Sequence, residues 1–219
     1  WRETSLIVEA FSRQHGRVGL VARGARRQNS GIKTRLMPFQ PLHLSWFGKQ
    51  ALRTLHGAEW QGGDLNLRGD ALICGFYLNE LLLRLLPEGD AHETLFDRYQ
   101  DTLSELASSP DMQPLLRRFE LQLLTELGYA QPLAHTSSGE PIQAERRYVF
   151  VPEEGLLPAP GPGAAPAFSG RTLLDLAAGA LSSPATLAEG KLLTRTLLAH
   201  YLGDKPLATR QLLIDLHTL

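Results

Sequence analysis

Residues 1–60 hold ten basic side chains, Arg2, Arg13, Arg17, Arg23, Arg26, Arg27, Lys33, Arg35, Lys49 and Arg53, against three acidic ones, Glu3, Glu9 and Glu59. The formal charge of that stretch is +7, and because the whole chain carries −1, the remainder carries −8. A net charge near zero therefore hides a basic first part able to attract an extended anion and an acidic second part that is not. Five of the ten cations fall within residues 23–35, interleaved with Gly24, Gln28, Asn29, Ser30, Gly31 and Thr34. The segment reads as a flexible polar loop that can mould to a phosphate backbone, with a merely solvated loop as the plainer reading of the same charges. Arg13, Arg17, Arg23, Arg26, Arg27, Lys33, Arg35, Lys49 and Arg53 are the candidate phosphate contacts. Trp46 and Phe47 carry rings that either stack on bases or fill a core, and both readings stand.

Other chemistry lacks its residues. Neither a Gly-x-Gly-x-x-Gly turn nor a P-loop occurs, so nucleotide-driven work has no support. None of the seven histidines, His15, His43, His56, His92, His135, His200 and His217, stands three or four residues from another, and Cys74 is the one cysteine. A metal site and a disulfide framework are therefore not expected, and Cys74 beside Leu72, Ile73, Phe76 and Tyr77 reads as a small core residue. Glu153 and Glu154 lie among prolines, where a solvated turn is the simpler reading than a general acid and base. No Gly-x-Ser-x-Gly elbow is present. These gaps point to a binding protein that needs no cofactor. No apolar run approaches the ~18 residues of a membrane span, and the first residues do not open a signal peptide, so the expected location is the cytoplasm.

The elements that must position the cations are short strands. Residues 5–11 and 17–22 are rich in β-branched side chains and flank Gln14-His15-Gly16, which predicts a hairpin. Residues 35–47 contain Pro38 and Pro41 and alternate at Leu42, Leu44 and Trp46, as an edge or bent strand does. Gly48-Lys49 then turns the chain into residues 51–58. Several short strands within about 60 residues fit a small barrel of the OB-fold kind. The chain opens at Trp1 and not at methionine, so native residues are expected before it and the first strand is expected to be incomplete.

From Asp70 onward the period changes to that of helices. Leu72, Ile73, Phe76, Tyr77, Leu81 and Leu85 form one face until Pro87 stops the run. Asp90-Ala-His-Glu93 has the form of a capping box opening a second helix that carries Leu95, Phe96, Tyr99, Leu103 and Leu106. A third helix is predicted from Pro114 to Leu127 with Gly128 as its C-terminal cap, a fourth from Ser183-Pro184 to Leu202 before Gly203, and a last one capped by Thr209. Residues 130–168 hold Pro132, Pro141, Pro152, Pro158, Pro160, Pro162 and Pro166, and are expected to be irregular apart from a strand over residues 146–151. The fold class is α+β and multidomain: residues 1–66 an OB-fold β-barrel, residues 67–219 mainly helical with a cysteine-free, knuckle-like insertion at about residues 130–168.

An ordered series of motifs carries a family resemblance. It runs through Arg2-Glu-Thr-Ser-Leu-Ile-Val-Glu-Ala-Phe11, His15-Gly-Arg-Val-Gly-Leu-Val-Ala-Arg-Gly-Ala-Arg-Arg27, Pro38-Phe-Gln-Pro-Leu42 and Gly75-Phe-Tyr-Leu-Asn-Glu-Leu-Leu82. It continues with Leu115-Leu-Arg-Arg-Phe-Glu-Leu121, Leu127-Gly-Tyr129, Ser138-Gly-Glu-Pro141 and Phe168-Ser-Gly-Arg171. Over nearly the whole chain this series resembles the RecO recombination-mediator family, its proteobacterial branch above all. The resemblance implies an N-terminal OB-fold and a C-terminal helical domain. It further implies binding of single- and double-stranded DNA, annealing of complementary strands, and, with RecR, loading of RecA onto DNA coated by single-stranded DNA-binding protein. Many members of the family hold zinc on four cysteines in the insertion. Residues 130–168 of this chain contain no cysteine, so that metal does not carry over.

The resemblance also implies a receptor for the acidic, hydrophobic-ended C-terminal tail of single-stranded DNA-binding protein. Leu116, Arg117, Arg118 and Leu121 are its candidates, since an arginine beside an apolar groove suits a terminal carboxylate. The competing reading pairs Arg117 with Glu120 on a solvated helix face. Two other functions compete: an RNA-binding OB-fold accessory protein, which the same basic loop supports, and an enzyme such as a nuclease whose acidic cluster forms only in the fold.

Overall fold

The structure, a computed structural model, describes residues 4–28, 30–63, 65–129, 132–161, 163 and 166–217. Trp1, Arg2, Glu3, Asn29 and Pro162 lie outside them. The chain forms two compact units, Trp1–Ser109 with Leu207–Leu219, and Pro110–Pro206.

In the first unit, β1 (Leu6–Ser12) and β2 (Gly16–Ala22) form the expected antiparallel hairpin, with Ser12 opposite Gly16 and Leu6 opposite Ala22. β3 (Leu42–Phe47) and β4 (Leu52–Trp60) pair antiparallel, and β4 runs parallel to β2, so the sheet order is β1-β2-β4-β3. Alternation places one apolar face inward: Val18, Leu20, Ala22 and Leu55 are buried, with Leu6, Val8, Ala10, Leu44 and Trp46 packed against them. Among the described residues the four strands form a sheet and no closing strand pair completes a barrel. The basic segment after β2 departs from a free loop. Ala25 is fully buried, the Arg26 N–H donates to the Thr4 carbonyl at 3.0 Å, and a short helix α1 (Ile32–Arg35) sets Ile32 against the sheet core, as Leu36 is after it. Two or three apolar anchors thus hold a strongly charged segment in place while its cations point outward.

Three helices complete this unit: α2 (Gly69–Leu85), α3 (Glu93–Leu106) and α7 (Ala208–His217). α2 buries Ala71, Ile73, Cys74, Gly75, Leu78, Leu81, Leu82 and Leu85, so of the expected face only Ile73, Leu81 and Leu85 point fully inward, while Leu72 and Tyr77 are half-buried and Phe76 is exposed. Phe39, two residues into the Pro38-Phe-Gln-Pro-Leu42 motif, covers Gly75 so closely that a Cβ there would lie 3.0 Å from its ring. The capping box at the start of α3 does not form. His92 and not Asp90 is the N-cap residue, no side chain caps it, and Glu93 turns instead to Arg13. Thr209 is likewise no cap for α7. Glu80 of α2 does that work, its carboxylate accepting from the Ala208 and Thr209 N–H groups at 2.8 and 2.9 Å and from the Thr209 hydroxyl at 2.6 Å.

Glu80 gives a pH dependence with a definite sign. Burial raises its pKa, but the hydrogen bonds from Thr209 and Ala208 outweigh that, leaving it below its ordinary 4.5. A carboxylate lowered on folding stabilises above its ordinary value, and the stabilisation is lost as pH falls through the folded one. Amide-exchange protection at Ala208 and Thr209 is therefore expected to fall once the pH drops below 4.5, and Glu80→Gln to remove most of that dependence. Protection unchanged down to about pH 3 would contradict the capping role.

The second unit holds α4 (Gln113–Glu126), α5 (Gly170–Ala177) and α6 (Pro184–Leu202). Leu115, Phe119, Leu123 and Leu124 of α4 and Leu173, Leu176, Leu193, Leu197 and Leu198 of α5 and α6 are buried. α4 ends as its sequence predicts, with the Gly128 and Tyr129 N–H groups closing back on Thr125 and Leu124. The stretch expected to be irregular contains a three-stranded antiparallel sheet in the order β6-β5-β7, built from β5 (Arg147–Val151), β6 (Gly155–Pro158) and β7 (Ala167–Ser169). Tyr148, Leu156, Phe168 and Ile142 form its buried centre, and the Tyr148 hydroxyl accepts from the Gln143 N–H at 2.9 Å. The Thr136 hydroxyl contacts Ser138 Oγ at 2.9 Å and accepts from the Glu140 N–H at 3.1 Å. Apolar packing and short-range hydrogen bonds do here what a metal does in other small knuckles. Among the described residues no helix is long and apolar enough to cross a membrane.

Candidate nucleic-acid interface

The parallel register of β2 and β4 sets Gly19 opposite Leu52 and Leu20 opposite Arg53. It thereby brings the start of β2 beside the turn that opens β4. The segment between α2 and α3 joins them: the Gly89 N–H donates to the Arg17 carbonyl at 2.9 Å, and Arg17 and Glu88 form a parallel bridge. The result is a cavity of about 140 Å³ lined by Arg17, Lys49 and Arg53 together with Glu88, Gly19 and Ala51. Three of the nine candidate cations thus meet in one cleft.

Four more stand in the segment that follows β2. Arg23, Arg26 and Arg27 are exposed in its turns, Lys33 is exposed on α1, and none makes an ion pair with another described residue. The remaining two have other work. Arg13 is clamped to α3, 2.7 Å from Glu93 and with its Nε and Nη2 each 3.0 Å from an Asp97 oxygen. The hydrogen bond and charge of Arg13 hold the Asp97 carboxyl below its usual range, and Asp97 in turn raises Arg13. Arg35 donates to the Ala58 carbonyl at 3.4 Å.

The aromatic rings divide as well. Trp46 packs on the sheet core and meets His15 edge-to-face at 5.2 Å, whereas Phe47 is 58% exposed and lies 6.4 Å from His56. Trp60, which strand alternation does not single out, is also 58% exposed at the end of β4. A β-bulge interrupts the alternation: Ser45 pairs with Gly57 but Trp46 with Leu55, so His56 is the extra residue and the inward positions Leu55 and Ala58 are three apart, while Trp60, paired with Leu42, stands at the end of the strand. Exposed Phe47 and Trp60 are the rings open to base stacking.

In the second unit the candidate tail receptor lies on α4. Leu116 is buried, and Arg118 and Leu121 are half-buried. Arg117 is 5% exposed and Glu120 1%, and the two side chains form a hydrogen-bonded ion pair. The pairing with Glu120 therefore exists, but in a buried position and not on the solvated face that the helical spacing suggested.

The first unit thus presents a basic sheet surface, and no group of three or more His, Cys, Asp or Glu side chains that could hold a metal ion occurs among the described residues. Comparison with known proteins decides the family. A family model for the N-terminal part of recombination protein O matches residues 1–63, and one for its C-terminal part matches residues 67–211. The chain belongs to the RecO family. It is 53% identical over 221 residues to the DNA repair protein RecO of Nitrosospira multiformis, covering 99% of this chain and 91% of that one. The RecO of Thiobacillus denitrificans is 52% identical over 228 residues, covering 100% of this chain and 89% of its own length. That of Azoarcus sp. is 52% identical over 221 residues, with 99% and 91% covered. Within a RecO chain, the cleft lies wholly in the part matched by the N-terminal model apart from Glu88 and Gly89.

Proposed function

We propose that this RecO chain is a non-catalytic DNA-binding recombination mediator of the bacterial cytoplasm, requiring no cofactor. It binds single- and double-stranded DNA through an OB-fold-like N-terminal part, anneals complementary strands, and with RecR helps load RecA onto strands coated by single-stranded DNA-binding protein. Family membership across both parts of the chain carries this reading. The exposed Arg23, Arg26, Arg27 and Lys33 and the Arg17, Lys49 and Arg53 cleft supply a surface for it. Phosphate pairing and base stacking ignore sequence, as a protein acting on arbitrary gaps requires. Leu116, Arg117, Arg118 and Leu121 form the proposed receptor for the tail of single-stranded DNA-binding protein, an arginine pair beside apolar side chains suiting its terminal carboxylate.

The test is fluorescence anisotropy of a labelled single strand over a salt series, followed by addition of its complement. Binding should weaken steeply with salt, and annealing should accelerate. Replacing Arg23, Arg26, Arg27 and Lys33 together by glutamine should flatten the log–log salt slope by about 3, at about 0.7 for each phosphate no longer neutralised. Salt-insensitive binding by the unmodified chain would end the proposal. Preferential displacement of the DNA by an RNA strand of equal length would turn it toward RNA.

A further inference from the structure

Arg17 is poorly satisfied by the acids around it. Its Nη1 lies 3.5 Å from Glu9 and its Nη2 3.7 Å from Glu88, and its buried Nε has no hydrogen-bond acceptor among the described residues. Charge-assisted bonds from a guanidinium to a carboxylate close to about 2.7–2.9 Å when geometry permits. Arg13, in the same unit, achieves this with Glu93 and Asp97 at 2.7 and 3.0 Å. Arg17 is thus held by attraction without the bonds that normally accompany it. It faces a cavity whose other charged walls are Lys49, Arg53 and Glu88.

We propose that this cleft seats one backbone phosphate of a bound nucleic-acid strand, and that Glu88 is an internal competitor for it. The inference rests on the DNA-binding reading above. A phosphate offers negative charge and several acceptor oxygens, which Arg17, Lys49 and Arg53 satisfy together as one carboxylate cannot. At about 140 Å³ the cavity is large enough to admit a phosphate group. Glu88 is free to yield: its side chain is 43% exposed, and its segment is fastened to β2 by the backbone bond from Gly89 to Arg17. The carboxylate swings out while the loop stays, and leaving a pair so exposed costs little. Glu88 therefore lowers affinity and leaves the site unoccupied by weaker anions until a strand displaces it.

The experiment measures binding of fluorescein-labelled oligo-dT over a salt series for the unmodified chain, Glu88→Gln, Asp101→Asn, Arg17→Gln and the Arg17→Gln/Glu88→Gln pair. Asp101 is exposed on α3 and serves as the control for net charge. Glu88→Gln should bind about 3–10-fold more tightly at low salt, the gain expected when a weak, partly exposed pair no longer has to be broken. Asp101→Asn should change affinity less than about 2-fold, as a distant screened charge does. The gain from Glu88→Gln should vanish when Arg17 is also replaced. Equal behaviour of Glu88→Gln and Asp101→Asn, or a gain that survives loss of Arg17, would overturn the inference. Should Glu88→Gln fail to fold, the Arg17 Nε–H resonance of the unmodified chain decides: it shifts on titration with oligo-dT if a phosphate is seated there, and an unmoved resonance overturns the proposal. Salt-steep binding by the unmodified chain combined with any of these negative results sinks this inference alone and leaves the DNA-binding reading standing. Absence of such binding sinks the DNA-binding reading with it.

Discussion

Arg117→Ala is expected to destabilise the second unit by about 3–5 kcal/mol, the range found when one partner of a buried ion pair is removed. The guanidinium and the Glu120 carboxylate are both buried on α4, so the substitution takes away the positive charge that faces a desolvated negative one. Tryptophan fluorescence will not report it, because Trp1, Trp46 and Trp60 all lie in the first 60 residues. Hydrogen exchange at the α4 amides in a urea series will. Two further results should accompany the loss. The deficit should shrink as pH is lowered, since a buried carboxylate without its cation takes up a proton more readily. Arg117→Met combined with Glu120→Leu should recover most of the stability, because apolar packing often replaces a buried pair without penalty. An Arg117→Ala chain within about 1 kcal/mol of the original would mean that the pair is reached by solvent.

Gly16→Ala should be nearly as damaging, and in the other unit. Gly16 has φ of 61°, and a Cβ on it would lie 1.8 Å from the Asp90 carbonyl oxygen. Left-handed backbone costs an alanine about 1–2 kcal/mol, and forced overpacking about 1–3 kcal/mol more. The segment at Glu88–Asp90 has to move away from β2, taking with it the bond from Gly89 to Arg17. A fall in the thermal midpoint on the order of 10 °C is expected for a unit of this size. Emission from Trp46 and Trp60 should follow it. A midpoint within about 2 °C of the original would show that the two segments are not in contact in solution.

Local pattern made much of this architecture readable. The hairpin from β1 to β2 is visible in alternation and in the turn at Gly16, and α2, α4 and α6 are visible in their apolar period and in Pro87, Gly128 and Ser183. Elements that depend on distant partners are not. β7 is three residues long and exists because Arg147, Tyr148 and Val149 pair with it. α5 is short, and its one local signal is Ser169, whose hydroxyl accepts from the Thr172 N–H at 3.1 Å. Asp90 and Thr209 carry the right residue type for a cap, yet tertiary contacts assign the ends of α3 and α7 differently. The basic stretch was legible as a population of charges, but its division was not. Asp97 is 84 positions from Arg13, so nothing local reveals that Arg13 is a clamp while Arg23, Arg26 and Arg27 are open. The expected OB-fold barrel meets a four-stranded sheet, and among the described residues no strand pair closes it.

The docking of α7 on α2 has a consequence for biosynthesis. Glu80 and Ala208 are 128 residues apart, and residues 110–206 intervene as a separate unit. At about 5–20 residues per second, a ribosome takes roughly 6–25 s to cross that interval. Throughout it, the nascent first unit must present the α2 face around Glu80 uncovered, already synthesised but without the helix that will lie on it. The chain therefore matures out of order: the second unit is complete while the first still waits for its last piece, and the waiting face is where a nascent-chain chaperone, or a neighbouring nascent chain, would first meet it.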